Sequence, residues 1–214
     1  MTPRLLRRAL PALVALFAFT VVTGAVTGVA AAGKDGPGTK VVRKANDTIS
    51  SLLAKKAAAG SKEEQDLATK VTSSVRDFLD IDELGQRALA DQWAGLTDAQ
   101  RTQYQALLRK LIEGEYVKGL RGNLDYKVVY KSEAKQDDGS IKVSTEIQAK
   151  KKGRPYTITI DYVLTKRDGK LRCYDVITDG AGLVENYRAQ FNKIIAKDGF
   201  DGLIAKMQKK LGAS

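Results

Sequence analysis

Between Asp125 and Asp179 the hydrophobic period of the chain is two, and the periodic runs are separated by very short turns. YKVVYKSE, SIKVSTEIQAK, RPYTITIDYVLTK and KLRCYDVITD read as four strands, punctuated by QDDGS, KKGRP and RDGK. A parallel pair needs a crossover of about a dozen residues, so links this short make the strands antiparallel neighbours. Alternation then assigns faces. Ile141, Val143, Thr145 and Ile147 share one side of the second strand, and Tyr156, Ile158, Ile160, Tyr162 and Leu164 share one side of the third. Lys142, Glu146, Thr157, Thr159 and Asp161 take the other side. One face of the sheet is apolar and has to be covered.

The cover lies on both sides of the meander in sequence. From Thr39 to about Gly122 the apolar residues recur with helical spacing. Val42, Ala45, Ile49, Leu52 and Leu53 line a first helix, and Leu67, Val71, Val75, Phe78 and Leu79 a second. Gly60 stops the first, and Ser61 to Glu64 form a capping box for the next. A short third helix follows Asp80, from Ile81 through Leu84, Ala88 and Leu89 toward Trp93. Thr97 to Gln100 cap a long fourth helix whose apolar face runs through Tyr104, Leu107, Leu108, Leu111 and Ile112 toward Tyr116 and Leu120, where RGN ends it. After the strands come GLVENYRAQFNKIIAKDG, with Leu183, Tyr187, Phe191 and Ile194 in line, and FDGLIAKMQKKL. This order predicts an α+β fold, a curved antiparallel four-stranded sheet of NTF2-like cone shape covered on one side by about six helices. Whether those helices fill the apolar face or stand off it around a cavity stays open, because a packed core and a cavity lining share one periodicity.

The first 32 residues read differently. Arg4, Arg7 and Arg8 precede an acid-free apolar run that ends in Ala30, Ala31 and Ala32, the pattern of a secretory signal cleaved before Gly33. Residues 33–214 are then a single domain. A retained membrane anchor is the alternative. Lys and Arg number 36 against 25 Asp and Glu over the whole chain, and 33 against 25 after position 32, a net charge of +8. Such an excess favours anionic partners, which for an exported protein are lipid surfaces, cell-wall polymers or an acidic protein. Nucleic acid is not expected, since no stacking aromatics interleave with arginines. Much of the excess belongs to solvated helix faces and the KKKGR turn.

The chain has no histidine and one cysteine. That removes the commonest general base and metal ligand, every Ser/Cys–His pair and any intramolecular disulfide. Neither HExxH, CxxC nor a Walker sequence occurs. Cys173, inside a strand, reads as a small half-buried hydrophobe. The run YDVITDGAGLVENYRAQF, from Tyr174 to Phe191, has the outline of a phosphate loop, but Glu185 stands where a third glycine is needed and the strands are antiparallel. Gly180 and Gly182 serve instead to turn the chain from strand to helix. One enzymatic alternative is a pocket carboxylate beside a tyrosine, with Asp161 or Asp175 and Tyr162 or Tyr174. Against it, alternation turns Asp161 to solvent, and Asp175 is placed to support the turn. A basic binding module with a filled core is a further alternative.

VRDFLDIDELGQRALADQWAGLTDAQRTQYQALLRKLI in the helical half and YDVITDGAGLVENYRAQFNKIIAKDGFDGLIAKMQKKL at the end carry a resemblance. The telling positions are Phe78 with Asp80 and Ile81, Arg87 and Ala88 before Trp93, the Thr97–Gln100 cap with Arg101, and Tyr174-Asp175-Val176 followed by Leu183, Val184, Tyr187, Arg188, Gln190 and Phe191. Together they resemble the MlaC family of periplasmic phospholipid-binding proteins, also called the toluene-tolerance family. The family usually has a tryptophan just before the Tyr-Asp-Val triplet, where this chain has Leu171, Arg172 and Cys173.

The resemblance implies a non-enzymatic periplasmic carrier that needs no cofactor. It would hold a phospholipid by its acyl chains in a cavity between sheet and helices, as a monomer. Its implied partners are an inner-membrane ABC transporter complex with a substrate-receiving subunit and an outer-membrane lipoprotein/porin complex. The strand and helix faces then propose the lining. From the sheet come Ile141, Val143, Ile147, Ile158, Ile160, Tyr162, Leu164, Tyr174 and Val176. From the helices come Leu107, Leu111, Tyr116, Leu183, Tyr187 and Phe191.

Overall fold

The computed structural model describes residues 35–118, 126–151 and 154–212. The expected export segment, the expected RGN end of the fourth helix and the centre of the KKGRP turn lie outside the described residues. Residues 32–214 form one compact unit. Its described elements are α1 (Pro37–Leu53), α2 (Lys62–Phe78), α3 (Ile81–Leu89), a 3-10 turn (Ala90–Gly95), α4 (Asp98–Lys118), β1 (Tyr126–Lys135), β2 (Ile141–Lys151), β3 (Arg154–Arg167), β4 (Lys170–Thr178), β5 (Ala181–Gly182) and α5 (Leu183–Gly212). No described helix is long and apolar enough to cross a membrane.

The fold is α+β, with an open antiparallel sheet in the order β1-β2-β3-β4-β5. The expected four strands become five, because the chain leaving β4 at Gly180, with φ of 84°, folds back and pairs Gly182 with Ile177 and Ala181 with Thr178. The expected terminal pair of helices lies within α5, where two helices meet at Gly199, whose φ of 70° and ψ of 179° are not helical.

Local signals place the helix starts. Ser61 Oγ accepts from Glu64 N at 3.2 Å, and the Glu64 carboxylate accepts from Gly60 N at 2.7 Å. Thr97 and Gln100 exchange reciprocal bonds, Gln100 N to Thr97 Oγ1 at 3.3 Å and Thr97 N to Gln100 Oε1 at 2.9 Å. Asp80 caps α3 through Glu83 N at 3.1 Å, while Asp80 N donates to Cys173 O at 2.7 Å and ties the α2–α3 junction to β4. The Asp80 carboxylate also meets Arg167 at the end of β3 at 2.8 Å.

The core sits where α2, α3, α4 and α5 meet one another and the sheet. Val71, Val75, Leu84, Leu89, Leu108 and Leu203 have no accessible surface. Tyr104 bonds Gly85 O at 3.1 Å and packs edge-on to Phe191 at 5.7 Å and Trp93 at 6.4 Å. On the opposite face of the sheet, Thr157 and Thr159 are exposed, and Lys131–Glu146 and Lys142–Asp161 pair at 3.3 and 3.9 Å.

Candidate functional site: a graded apolar sheet face

The register arranges the inner face as rungs. Ile141, Leu164 and Cys173 form one, followed by Glu133, Val143, Tyr162 and Val176. Next come Tyr130, Thr145, Ile160 and Thr178, and then Val128, Ile147 and Ile158. Burial changes along this ladder. Val143, Leu164 and Cys173 have no exposure at all, whereas Val128, Tyr130, Ile147 and Ile160 are half-buried. Ile141 and Val176 in the first two rungs are half-buried as well, and Thr145 and Ile158 in the last two are buried, so accessible side chains are commoner toward the Val128 rung without being confined to it.

The packed end is closed by the start of α1. A Cβ on Gly38 would fall 2.8 Å from Ile141 Cγ2 and 3.0 Å from Val143 Cγ2, so only glycine lets the helix lie this close. Gly36, the residue before α1, offers no side-chain cap, and the sheet supplies it. The Glu133 carboxylate accepts from Gly38 N at 3.2 Å, Thr39 N at 2.7 Å and Thr39 Oγ1 at 2.7 Å. A carboxylate at a helix N-terminus also complements the helix dipole. Val42, one turn on, is fully buried.

Beyond Val42 the same helix face loses its cover. Ala45, Ile49, Leu52 and Leu53, expected to pack, are only half-buried. Here polar bridges carry part of the link between helix and sheet. The Asn46 side chain donates to Tyr130 Oη at 3.2 Å and accepts from Tyr162 Oη at 3.3 Å, and Ser50 Oγ meets Tyr126 Oη at 3.2 Å. Arg43 lies over the Tyr130 ring at 3.9 Å and is paired with Asp35. Half-buried apolar side chains thus lie on both the helix and the sheet below it.

Two β-bulges decide which residues share this face of the sheet. In β1 the register shifts between Tyr130 and Ser132, which moves Glu133 onto the face of Val128 and Tyr130. In β4 it shifts between the partners of Val163 and Leu164, so Cys173 takes the inner position opposite Leu164 while Asp175 pairs with outward Val163. The extra residue is Tyr174. Its ring lies under the Arg87 guanidinium at 4.1 Å, with Ser140 also beside it. Strict alternation had set Tyr174 with Val176; the bulge separates them.

The other expected lining residues divide in the same way. Leu107, Tyr116, Ile141, Ile147, Ile160, Val176 and Leu183 retain accessible surface. Leu111, Val143, Ile158, Tyr162, Leu164, Tyr187 and Phe191 are buried. Phe191 belongs to the helical core, stacked on Tyr187 at 5.2 Å and edge-on to Tyr104. Tyr162 meets Phe78 edge-on at 5.8 Å. Burial pushes the Tyr116, Tyr162 and Cys173 groups up, and Tyr187 to about 12, and Tyr116 has Cys173, Tyr187 and Tyr162 as electrostatic neighbours. These four groups stay neutral at physiological pH, as an apolar interior requires.

The two acids of the enzymatic alternative are engaged elsewhere. Asp161 pairs with Lys142 on the opposite face, and the Asp175 carboxylate accepts from Val184 N at 3.1 Å at the start of α5. Burial raises the Asp175 pKa, and the backbone donors of Val184, Leu183 and Val176 oppose that rise. Sequence alternation missed Val128, Tyr130, Asn46 and Glu133. The bulge hides the face of β1, and Asn46 looks like a break in an apolar stripe until its two tyrosine partners are seen.

Comparison with known proteins places this geometry. A family model described as MlaC protein matches residues 43–209. Over 144 residues, 67% of this chain and 67% of the relative, the sequence is 23% identical to the intermembrane phospholipid transport system binding protein MlaC of Haemophilus influenzae. A phospholipid-binding protein from Ralstonia solanacearum, solved in complex with a phospholipid, superposes with a TM-score of 0.65 at 23% identity, covering 81% of this chain and 96% of that one.

Proposed function

This chain belongs to the MlaC family, and from that premise we propose that it is a periplasmic phospholipid carrier that holds acyl chains between the accessible half of the sheet face and α1, α4 and α5. The observation that carries this reading is the gradient along the ladder, from fully buried Val143 and Leu164 to half-buried Ile147 and Ile160 beneath a half-buried helix face. The names of the similar proteins agree with it, one as part of an intermembrane phospholipid transport system and one as solved with a phospholipid.

Energetics set what such a carrier has to do. Two acyl chains with about thirty methylenes, at roughly 0.8 kcal/mol each, would cost more than about 20 kcal/mol to expose to water. Moving them from a bilayer into an apolar cavity exchanges one dry environment for another, so the net change is small while the aqueous barrier is large. Loading and release therefore take place at docked complexes, by our reading an inner-membrane transporter assembly and an outer-membrane lipoprotein/porin assembly. Positive charge on the carrier speeds those encounters and does so less as salt rises.

Mass spectrometry of organic extracts from natively purified residues 33–214 tests the proposal. Stoichiometric diacyl phospholipid is expected. Repeated absence of lipid, with no uptake from vesicles, overturns it.

A further inference from the structure

The accessible end of the ladder has a chemistry of its own. Past the Val128–Ile147–Ile158 rung the next inner rung is Tyr126, Ala149 and Tyr156. Tyr126, 37% accessible, is the one exposed large hydrophobic side chain among the described residues. Its hydroxyl meets Ser50 near the end of α1, so that helix end stands beside the same rung. Around these rings the strand ends are basic. Lys127 and Lys150 lie on the outer face by alternation, and Arg154 begins β3 at the tip. Lys127, Lys150 and Arg154 are exposed. No described residue of the three strands beyond the Val128 rung is acidic.

An apolar ladder that ends in tyrosines and is ringed by lysine and arginine matches the interfacial zone of a bilayer. There, tyrosine rings sit at head-group depth, and basic chains reach the phosphates while their methylenes lie along apolar surface.

We propose that this end of the sheet, the β1 start with the facing ends of β2 and β3, is a docking surface for an anionic phospholipid bilayer, which holds the carrier on the membrane beside the complexes at which it loads and releases lipid. The inference rests on the carrier reading for its purpose, and its surface chemistry can be tested separately. Each basic residue held near an anionic surface strengthens binding by about fivefold. The tyrosines add an apolar component that salt does not screen.

Residues 33–214, which contain the whole described fold and omit the apolar leader, are floated with vesicles of phosphatidylcholine alone and of equimolar phosphatidylcholine and phosphatidylglycerol. Binding is expected to the second at low salt, falling steeply at high salt. Combining Lys127→Glu, Lys150→Glu and Arg154→Glu should weaken it at least about tenfold. Lys62→Glu, Lys70→Glu and Lys193→Glu, an exposed set with the same charge change, should weaken it far less. A Tyr126→Trp variant, read against unchanged Trp93, should shift its emission to the blue on anionic vesicles and be quenched by brominated acyl chains.

No binding to anionic vesicles, equal loss in the two charge sets, or an unquenched Trp at position 126 each overturns the docking surface. Mass spectrometry on the same preparation separates the two proposals. Bound lipid without vesicle docking removes only this inference, and vesicle docking without bound lipid removes only the carrier reading.

Discussion

Glu133, carried onto the inner face by the β1 bulge, holds Thr39 in the first turn of α1 by two bonds of 2.7 Å, to its amide and to its hydroxyl. The residues are 94 apart in sequence, so the cap is also a tertiary clamp that fixes one end of α1 on the sheet. Glu133→Ala should cost about 1–2 kcal/mol, the range for losing a helix cap. Glu133→Gln should recover part of that loss, as read by urea denaturation. If both variants match the parent, the clamp does not hold the helix.

Close approach at the same end gives a second expectation. Gly38→Ala sets a methyl group against Ile141 and Val143. Lifting α1 or distorting the sheet to fit it should cost about 1–3 kcal/mol, the usual penalty for overpacking. The same denaturation series measures it.

The two ends of the ladder should respond differently to substitution. Leu164→Ala, at the packed end, should destabilise by about 2–5 kcal/mol and leave lipid stoichiometry unchanged. Ile160→Trp or Ile147→Trp, at the other end where side chains retain accessible surface, should block lipid binding with little change in melting temperature. Normal lipid content in both tryptophan variants would show that the lining lies elsewhere.

Alkaline pH should unfold the protein through its buried interior. Tyr104, Tyr116, Tyr162, Tyr187 and Cys173 all have pKa values raised chiefly by burial, from ordinary values of 10.0 for tyrosine and 9.0 for cysteine. Above those ordinary values the unfolded chain gives up protons that the native state keeps, so the unfolded state binds fewer protons and stability falls as pH rises. The stabilising contribution is complete below pH 9 and is lost through the raised native values, about 12 for Tyr187. Thermal melts from pH 8 to 12 should show a steepening loss, with tyrosinate absorbance appearing together with unfolding. Early, non-cooperative ionisation of every tyrosine would contradict the burial.

The sequence by itself was enough to determine the class of fold, the antiparallel meander, the apolar face of β2 and β3, the helix caps at Ser61 and Thr97, and the absence of histidine chemistry. All of these follow from periods and spacings within a few residues, where local sterics and hydrogen bonding act. Motifs in the helical half and in the C-terminal part of the chain also carried the family resemblance. Tertiary structure alone decided what depends on register and on contacts distant in sequence. The bulges at β1 and β4 set Glu133 and Cys173 inward and Tyr174 beneath Arg87, because one extra residue reverses the face of everything beyond it. Asn46, a polar break in an apolar stripe, became a bridge to Tyr130 and Tyr162. Phe191, periodic with the expected lining, went instead to the helical core with Tyr104. The same ladder is packed at Val143 and accessible at Ile147, because α1 is held against the sheet at its first turn by Glu133 and Gly38, while farther along Asn46 and Ser50 reach across to tyrosines beside side chains that stay half-buried.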